Sequence, residues 1–304
     1  MKVSLDPGVL ILLGTTAVLY LRAVRILRRR GRRTSRWQQT AFWLGFGATA
    51  AGLLSPIDVY ATDLLSAHMA QHLLIADLAA PLLLTGLRSP VLLFILPKAV
   101  LVPLARTRWL RRTFHVITKP LVALPIFVAT LYFWHFRFAF VGALNHDLVH
   151  VAQHASFVLA SMLVWWPALE PQKMRMPGDL WKIGHIGAAR LASMFLGMAF
   201  VFSKAPYYAS FYGDRARDYG LTPLADQKLA GGMMMTLDIL IGVFALCLFF
   251  WRASEDATRD EEREKAAQRA AANAASSGGE TGAAPVARAL ATSGSPRPRT
   301  PPAS

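Results

Sequence analysis

Six histidines fall at spacings that could present imidazole nitrogens to one ligand. His68 and His72 are four residues apart, His146, His150 and His154 repeat at i, i+4 and i+8, and His135 lies a little upstream of them. Residues four apart share a helical face, so the triplet would form one stripe about 12 Å long. Imidazole serves zinc, copper and iron alike, and a pair at this spacing is a common helical way of offering two nitrogens to one metal. A lone intramembrane histidine is better read as hydrogen-bonding glue between helices. Six of the chain's eight histidines on one level favour a metal or haem site. His146, nearest the water boundary, reads equally as a solvated helix-start residue.

Other polar residues stand at related depths. Met194 and Met198 share a helical face, and Met233, Met234 and Met235 follow in the last apolar run. Thioether sulfur is a soft ligand suited to Cu(I), although methionine on an apolar helix is commonly packing filler, so these residues only support the histidines. Asp77 and Asp238 sit at mid-membrane depth, either on a proton or cation path or as interior acids bonded to Ser, Thr or backbone groups. Asp226-Gln227 starts the last run, where Asp is a favoured helix cap. Tyr132, Trp134, Tyr207, Tyr208, Phe211 and Tyr212 read as an interfacial aromatic belt, and Trp165-Trp166-Pro167 as its counterpart at the other boundary. A single cysteine, Cys247, excludes an internal disulfide and any Cys-x-x-Cys site.

The elements that must position these residues are transmembrane helices. The 304 residues are 54% apolar and only 17% charged, against about a quarter charged in soluble domains. Seven stretches approach the roughly 20 apolar residues that a span requires: 8–27, 38–54, 64–86, 120–140, 146–166, 184–203 and 227–251. The chain is therefore predicted to be an all-α polytopic membrane bundle over residues 1–252. The second stretch is rich in Gly and Ala, which suits close helix packing. Residues 88–119, interrupted by Pro97, Lys98 and Pro103, are expected to form an interfacial or re-entrant segment on the inner side. Only Lys2 precedes the first apolar run and no small-residue cleavage site follows it, so that span is expected to be retained.

The net charge of +15 lies in blocks between apolar runs and acts as an orientation signal rather than a nucleic-acid surface. Seven arginines between Arg25 and Arg36, then Arg106, Arg108, Arg111, Arg112 and Lys119, mark the cytoplasmic side; the loop 55–63 has no Lys or Arg and two Asp. By the positive-inside rule the N-terminus lies outside, the C-terminus inside, and the histidines in the outer half. Residues 253–304 are expected to form a cytoplasmic tail, helical to about Ala272 and then disordered.

Several motifs occur together in order: Leu54-Ser-Pro-Ile-Asp58, His68-Met-Ala-Gln-His72 with Ala80-Pro-Leu-Leu83, Trp134-His135, His150-Val-Ala-Gln-His154 with Trp165-Trp-Pro167, and Asp226-Gln227 with Ala230-Gly231. Over residues 40 to 250 this set resembles the multi-pass CtaG family of cytochrome c oxidase assembly factors. The resemblance implies an accessory protein of a bacterial inner membrane that helps mature a haem-copper terminal oxidase by handling copper. Its matched positions are His68, His72, His135, His150 and His154, with Asp58, Asp226 and Gln227. Two positions differ from the family pattern. Arg137 stands where a Pro often follows the Trp-His, and Gln153 where an acid often precedes the last histidine of the fifth span. The second change removes a carboxylate that could orient a ligating imidazole.

Three functions are compatible with these residues. The first is a copper-handling assembly factor that receives Cu(I), for instance from a periplasmic donor, and passes it to terminal oxidase subunits. The second is a haem-binding protein, a b-type cytochrome or haem carrier, with bis-His ligation. The third is a transporter or scaffold, ranked last because the broken helices in matching halves that mark transporters are not evident. Nothing resembles a nucleophile with its base, a nucleotide loop or a hydrolase triad, so the chain is not read as an enzyme.

Overall fold

The first span, Pro7–Arg29, begins where Asp6 accepts from the amides of Gly8 and Val9 and Pro7 supplies the preset first-turn φ. It ends before Gly31, whose φ of 72° is left-handed. The computed structural model describes residues 6–169 and 180–281 of the chain, and these contain helices and no strand.

The second span, Arg36–Leu54, is capped by Ser35 and followed by the short helix Pro56–Tyr60. The third runs over Leu65–Leu87 and contains a π-helical segment, Leu73–Ala79. Three short helices, Leu92–Ile95, Lys98–Arg106 and Arg108–Ile117, lead to the fourth span, Pro120–His135. The fifth is Asp147–Leu169 and the sixth Leu180–Phe202. The seventh helix is Pro223–Thr281. Six of these helices are long and apolar enough to cross a membrane; a seventh span results when Arg108–Ile117 and Pro120–His135, bent by 76° at their junction, count as one. The range of six to seven includes the expected number.

Two boundaries differ from expectation. The fourth span, expected to reach residue 140, ends at His135 because Phe136 takes an extended backbone (φ −66°, ψ 138°), and a separate helix, Arg137–Asn145, follows. The seventh helix, expected to be helical to about Ala272, continues to Thr281. The chain divides into a bundle ending at Phe250 and a polar part from Trp251. In the polar part, pairs such as Arg259–Glu255 at 3.0 Å follow the i, i+4 rule. The tail residues expected to be disordered beyond 281 lie outside the described residues.

Close backbone approach holds the bundle together, as the Gly/Ala-rich second span anticipated. A Cβ on Gly45 of the second span would stand 2.8 Å from the Leu83 amide nitrogen of the third. Between the sixth and seventh spans, a Cβ on Gly231 would stand 2.6 Å from the Gly197 carbonyl oxygen. Small residues at such crossings allow the backbone contact that replaces hydrophobic driving force inside a membrane. The main core gathers side chains such as Met69, Phe127, Phe140, Phe157 and Phe200 from the third span to the sixth. Tyr20 stacks on Phe42 at 3.5 Å in a smaller core between the first two spans.

Gly231→Leu should force the sixth and seventh spans apart and cost about 1–3 kcal/mol, visible as a lower thermal midpoint of the detergent-solubilised protein. Gly232→Ala, at a position with no atom within 4 Å of the added carbon, should leave the midpoint near wild type.

Candidate metal centre

The third span begins without a cap of its own, since the Leu64 side chain offers no acceptor. The seventh helix supplies one: Asp226 accepts from the Leu65 amide at 2.7 Å and the Ser66 amide at 3.1 Å. Asp226 was expected to cap its own helix. It instead satisfies the orphan donors of the helix that carries His68 and His72, where a carboxylate is also favoured by the helix dipole.

His68 and His72 then lie on one face, ring centroids 4.4 Å apart, opposite His150 and His154 of the fifth span, themselves 4.2 Å apart. Across the helices His68 is 5.3 Å from His150 and His72 is 5.0 Å from His154. One ligand nitrogen from each of His68, His72 and His154 can be chosen so that all three lie within 4.8 Å of one another. Metal–nitrogen distances of about 2.0–2.1 Å imply nitrogen separations of roughly 3.3–4.1 Å around a shared ion, so small rotations of these rings would close the site.

Hydrogen bonding separates these histidines from His185. Both ring nitrogens of His68 and His72, and Nε2 of His135, His150 and His154, are buried without a hydrogen-bond partner. Buried polar atoms are nearly always satisfied, and a group of orphaned imidazole nitrogens is the donor set a metal ion would complete. His135 Nδ1 donates to the Leu131 carbonyl at 2.7 Å. A carbonyl can only accept, so neutral His135 keeps its lone pair on Nε2. His185, by contrast, is engaged, its Nε2 donating to the Val164 carbonyl at 2.9 Å.

His135 joins the others through a small cavity of about 30 Å³ lined by Met69, His72, Asp77, His135, Ser193 and Met234, among others. Met194, Met198 and Met233 are only half-buried and are not among its lining residues; the methionines that reach it are Met69, which the sequence reading did not use, and Met234. His146 is exposed and stays out of the cluster, its carbonyl accepting from the Val149 and His150 amides at the start of the fifth span.

Asp58 accepts from Gln71 Nε2 at 2.7 Å, next to His72 in sequence. Gln153 is fully buried with neither amide atom paired. Gln227 accepts from the Tyr207 amide at 2.6 Å and donates to the Phe200 and Ala205 carbonyls. Tyr208 and Tyr212, expected in an interfacial belt, are buried instead: Tyr208 donates to the His135 carbonyl at 2.7 Å and Tyr212 to the Ala61 carbonyl at 3.3 Å. Burial, with Asp226 nearby, pushes the Tyr212 phenol well above its ordinary value and keeps it a neutral donor.

Below the cavity the two interior acids find neither Ser, Thr nor backbone as their main partner. Arg190 of the sixth span, which the sequence reading passed over, donates from one Nη1 to both Asp77 and Asp238, the latter at 3.1 Å. All three side chains are largely buried. The signal was present: a single arginine inside a 23-residue apolar helix demands a partner.

The model of the cytochrome c oxidase caa3 assembly factor family (Caa3_CtaG) matches residues 18–256. Uncharacterized proteins of Mycobacterium bovis and Mycobacterium tuberculosis are each 24% identical over 231 residues, covering 73% of this chain and 34% of theirs. The chain thus spans about a third of the length of the curated relatives it matches. No solved structure matches it.

Removing Arg190 should be severe, because it leaves two carboxylates facing each other in the bundle. Arg190→Met is expected to destabilise by about 3–5 kcal/mol, read as lost yield and a lower melting midpoint. Adding Asp77→Asn and Asp238→Asn should recover most of the loss. A single Arg190→Met variant that melts like wild type would show that the triad contributes nothing.

Proposed function

As the chain belongs to the cytochrome c oxidase caa3 assembly factor family, we propose that it matures a haem-copper terminal oxidase of a bacterial inner membrane by carrying Cu(I) as cargo. The observation that carries this reading is the set of partnerless imidazole nitrogens that two helices bring together, with those of His68, His72 and His154 within 4.8 Å of one another. His150 stands beside them, and His135 with Met69 and Met234 borders the adjoining cavity. Imidazole and thioether together suit Cu(I).

The arginine-rich connection and the basic helix Arg108–Ile117 lie at the other end of the spans from these histidines, and by the positive-inside rule that end is cytoplasmic. On this reading the site is loaded from the periplasm, by a donor protein or free ion, and discharged to an oxidase subunit, with no passage across the whole bilayer. The role is delivery rather than catalysis.

The packing favours an ion over a porphyrin. Ring centroids lie 4.2–5.3 Å apart between neighbours among the four clustered histidines and 6.2 Å apart for His68 and His154, and the adjoining cavity of about 30 Å³ has room for about one water molecule rather than a macrocycle.

Anaerobic titration of the purified protein with Cu(I) against a chromogenic chelator should show high-affinity binding. His72→Ala with His154→Ala should weaken it at least about 100-fold, since two ligands are lost. Unchanged affinity in that variant would sink the assignment. An optical spectrum of the purified protein decides against haem if no Soret band accompanies it.

A further inference from the structure

The helix Arg108–Ile117 takes no part in the copper chemistry. Its sequence, Arg-Trp-Leu-Arg-Arg-Thr-Phe-His-Val-Ile, divides cleanly around the axis. At about 100° per residue, Arg108, Arg111, Arg112 and His115 fall within an arc of about 100°, and Trp109, Leu110, Phe114, Val116 and Ile117, with Thr113 among them, fill the rest. Trp109, Phe114 and Val116 remain exposed, so the apolar side is not consumed by packing against the protein.

Two contacts fix the attitude of this helix. It meets the fourth span at a bend of 76°; a span lies within a few tens of degrees of the membrane normal, so the helix lies near the membrane plane. Phe114 packs edge-on against Trp166 at the end of the fifth span, ring centroids 5.2 Å apart. A basic amphipathic helix in this attitude rests with its aromatic side among acyl chains and its arginines at headgroup level.

The arginines converge on one place. An open cleft of about 460 Å³ is lined by Arg108, Arg111, Arg112, Phe114, His115 and Thr118. No acid lines it, and among the described residues none of the three arginines has an ion-pair partner. Orientation by the positive-inside rule requires only that charge be present on that side. It does not require three guanidinium groups and an imidazole around one concavity, which is the donor set that binds a phosphate through forked hydrogen bonds.

We propose that this cleft is a binding site for the phosphate of an anionic phospholipid headgroup, held by Arg108, Arg111 and Arg112 while Trp109 and Phe114 lie along the acyl chains. The site is independent of the copper reading and holds the basic helix, and through it the fourth span, at a set depth in the bilayer.

Native mass spectrometry of the full chain, purified through a mixture of phosphatidylglycerol and phosphatidylcholine, tests this. The wild-type protein should retain phosphatidylglycerol roughly tenfold over phosphatidylcholine, as expected for forked, charge-assisted contacts. The triple variant Arg108→Gln, Arg111→Gln, Arg112→Gln should lose that preference. The triple Lys variant, which keeps charge without the planar fork and guards against a misfolded Gln variant, should fall between the two. Arg28→Gln, Arg29→Gln, Arg32→Gln, exposed in the last turn of the first span and just beyond it, should change retention by less than about twofold. Wild-type retention in either cleft variant, or equal loss in the first-connection variant, would mean diffuse charge and overturn the site. Displacement of the lipid by inorganic phosphate would identify a free-anion site and overturn the lipid assignment.

Discussion

The Asp226 carboxylate holds the first two amides of the third span, Leu65 and Ser66, across 161 residues of chain. His68 and His72 follow within two turns, so their height and facing are set by this contact. The neighbouring residue extends the restraint. Gln227 grips the Tyr207 amide and the Phe200 and Ala205 carbonyls, which fixes the segment that carries Tyr208. Tyr208 in turn donates to the carbonyl of His135, where the fourth span breaks and the last carbonyls of a helix would otherwise go unpaired. The start of the seventh helix thereby orients histidines on two other spans while contributing none.

A second constraint arises inside the third span. Pro81 has no amide hydrogen, and in a regular α-helix its ring would press on the carbonyl of Asp77, four residues earlier. The chain accommodates it by widening to π-helical winding over Leu73–Ala79, and Ser161 of the fifth span donates to the Ala76 carbonyl at 2.7 Å. Within a membrane such a carbonyl must find a protein donor. The altered winding has a consequence for the site. In an α-helix Asp77 would lie about 140° round from His72, whereas winding that closes i to i+5 brings the two toward one face. Both line the same cavity.

These relations explain what the sequence disclosed and what it withheld. Apolar length and the four-residue histidine spacing are local, so the number of spans and the pairs His68/His72 and His150/His154 were legible. Helix rotation is not local. Met194, Met198 and Met233 had the right chemistry, yet Met69 and Met234 are the methionines turned toward the cavity. Asp226 was recognisable as a cap but not as the cap of a helix 161 residues away. Tyr208 and Tyr212 sit in a connection that folds back into the bundle, which aromatic composition alone cannot distinguish from an interfacial belt. Arg190 and Pro81 were readable signals: a guanidinium in an apolar span requires an acid, and a proline after a run of small apolar residues requires a departure from regular helix.

The charges beneath the histidines complete the physical picture. Two carboxylates share one guanidinium, and Asp238 Oδ2 is buried without a partner. With all three groups ionised the triad carries one surplus negative charge, and a charge in a low-dielectric interior is costly unless another lies nearby. Imidazoles that ligate a metal do so unprotonated, so a loaded histidine cluster would add none of its own. A monovalent ion held there would bring the single positive charge that balances the triad, and Asp77, shared by the cavity and the triad, places the two within one polar region. A divalent ion on the same neutral ligands would leave an excess positive charge in the bundle. On the proposed reading, a triad with both carboxylates ionised would favour a monovalent ion by charge, a choice the imidazoles, which accept copper, zinc and iron alike, do not make.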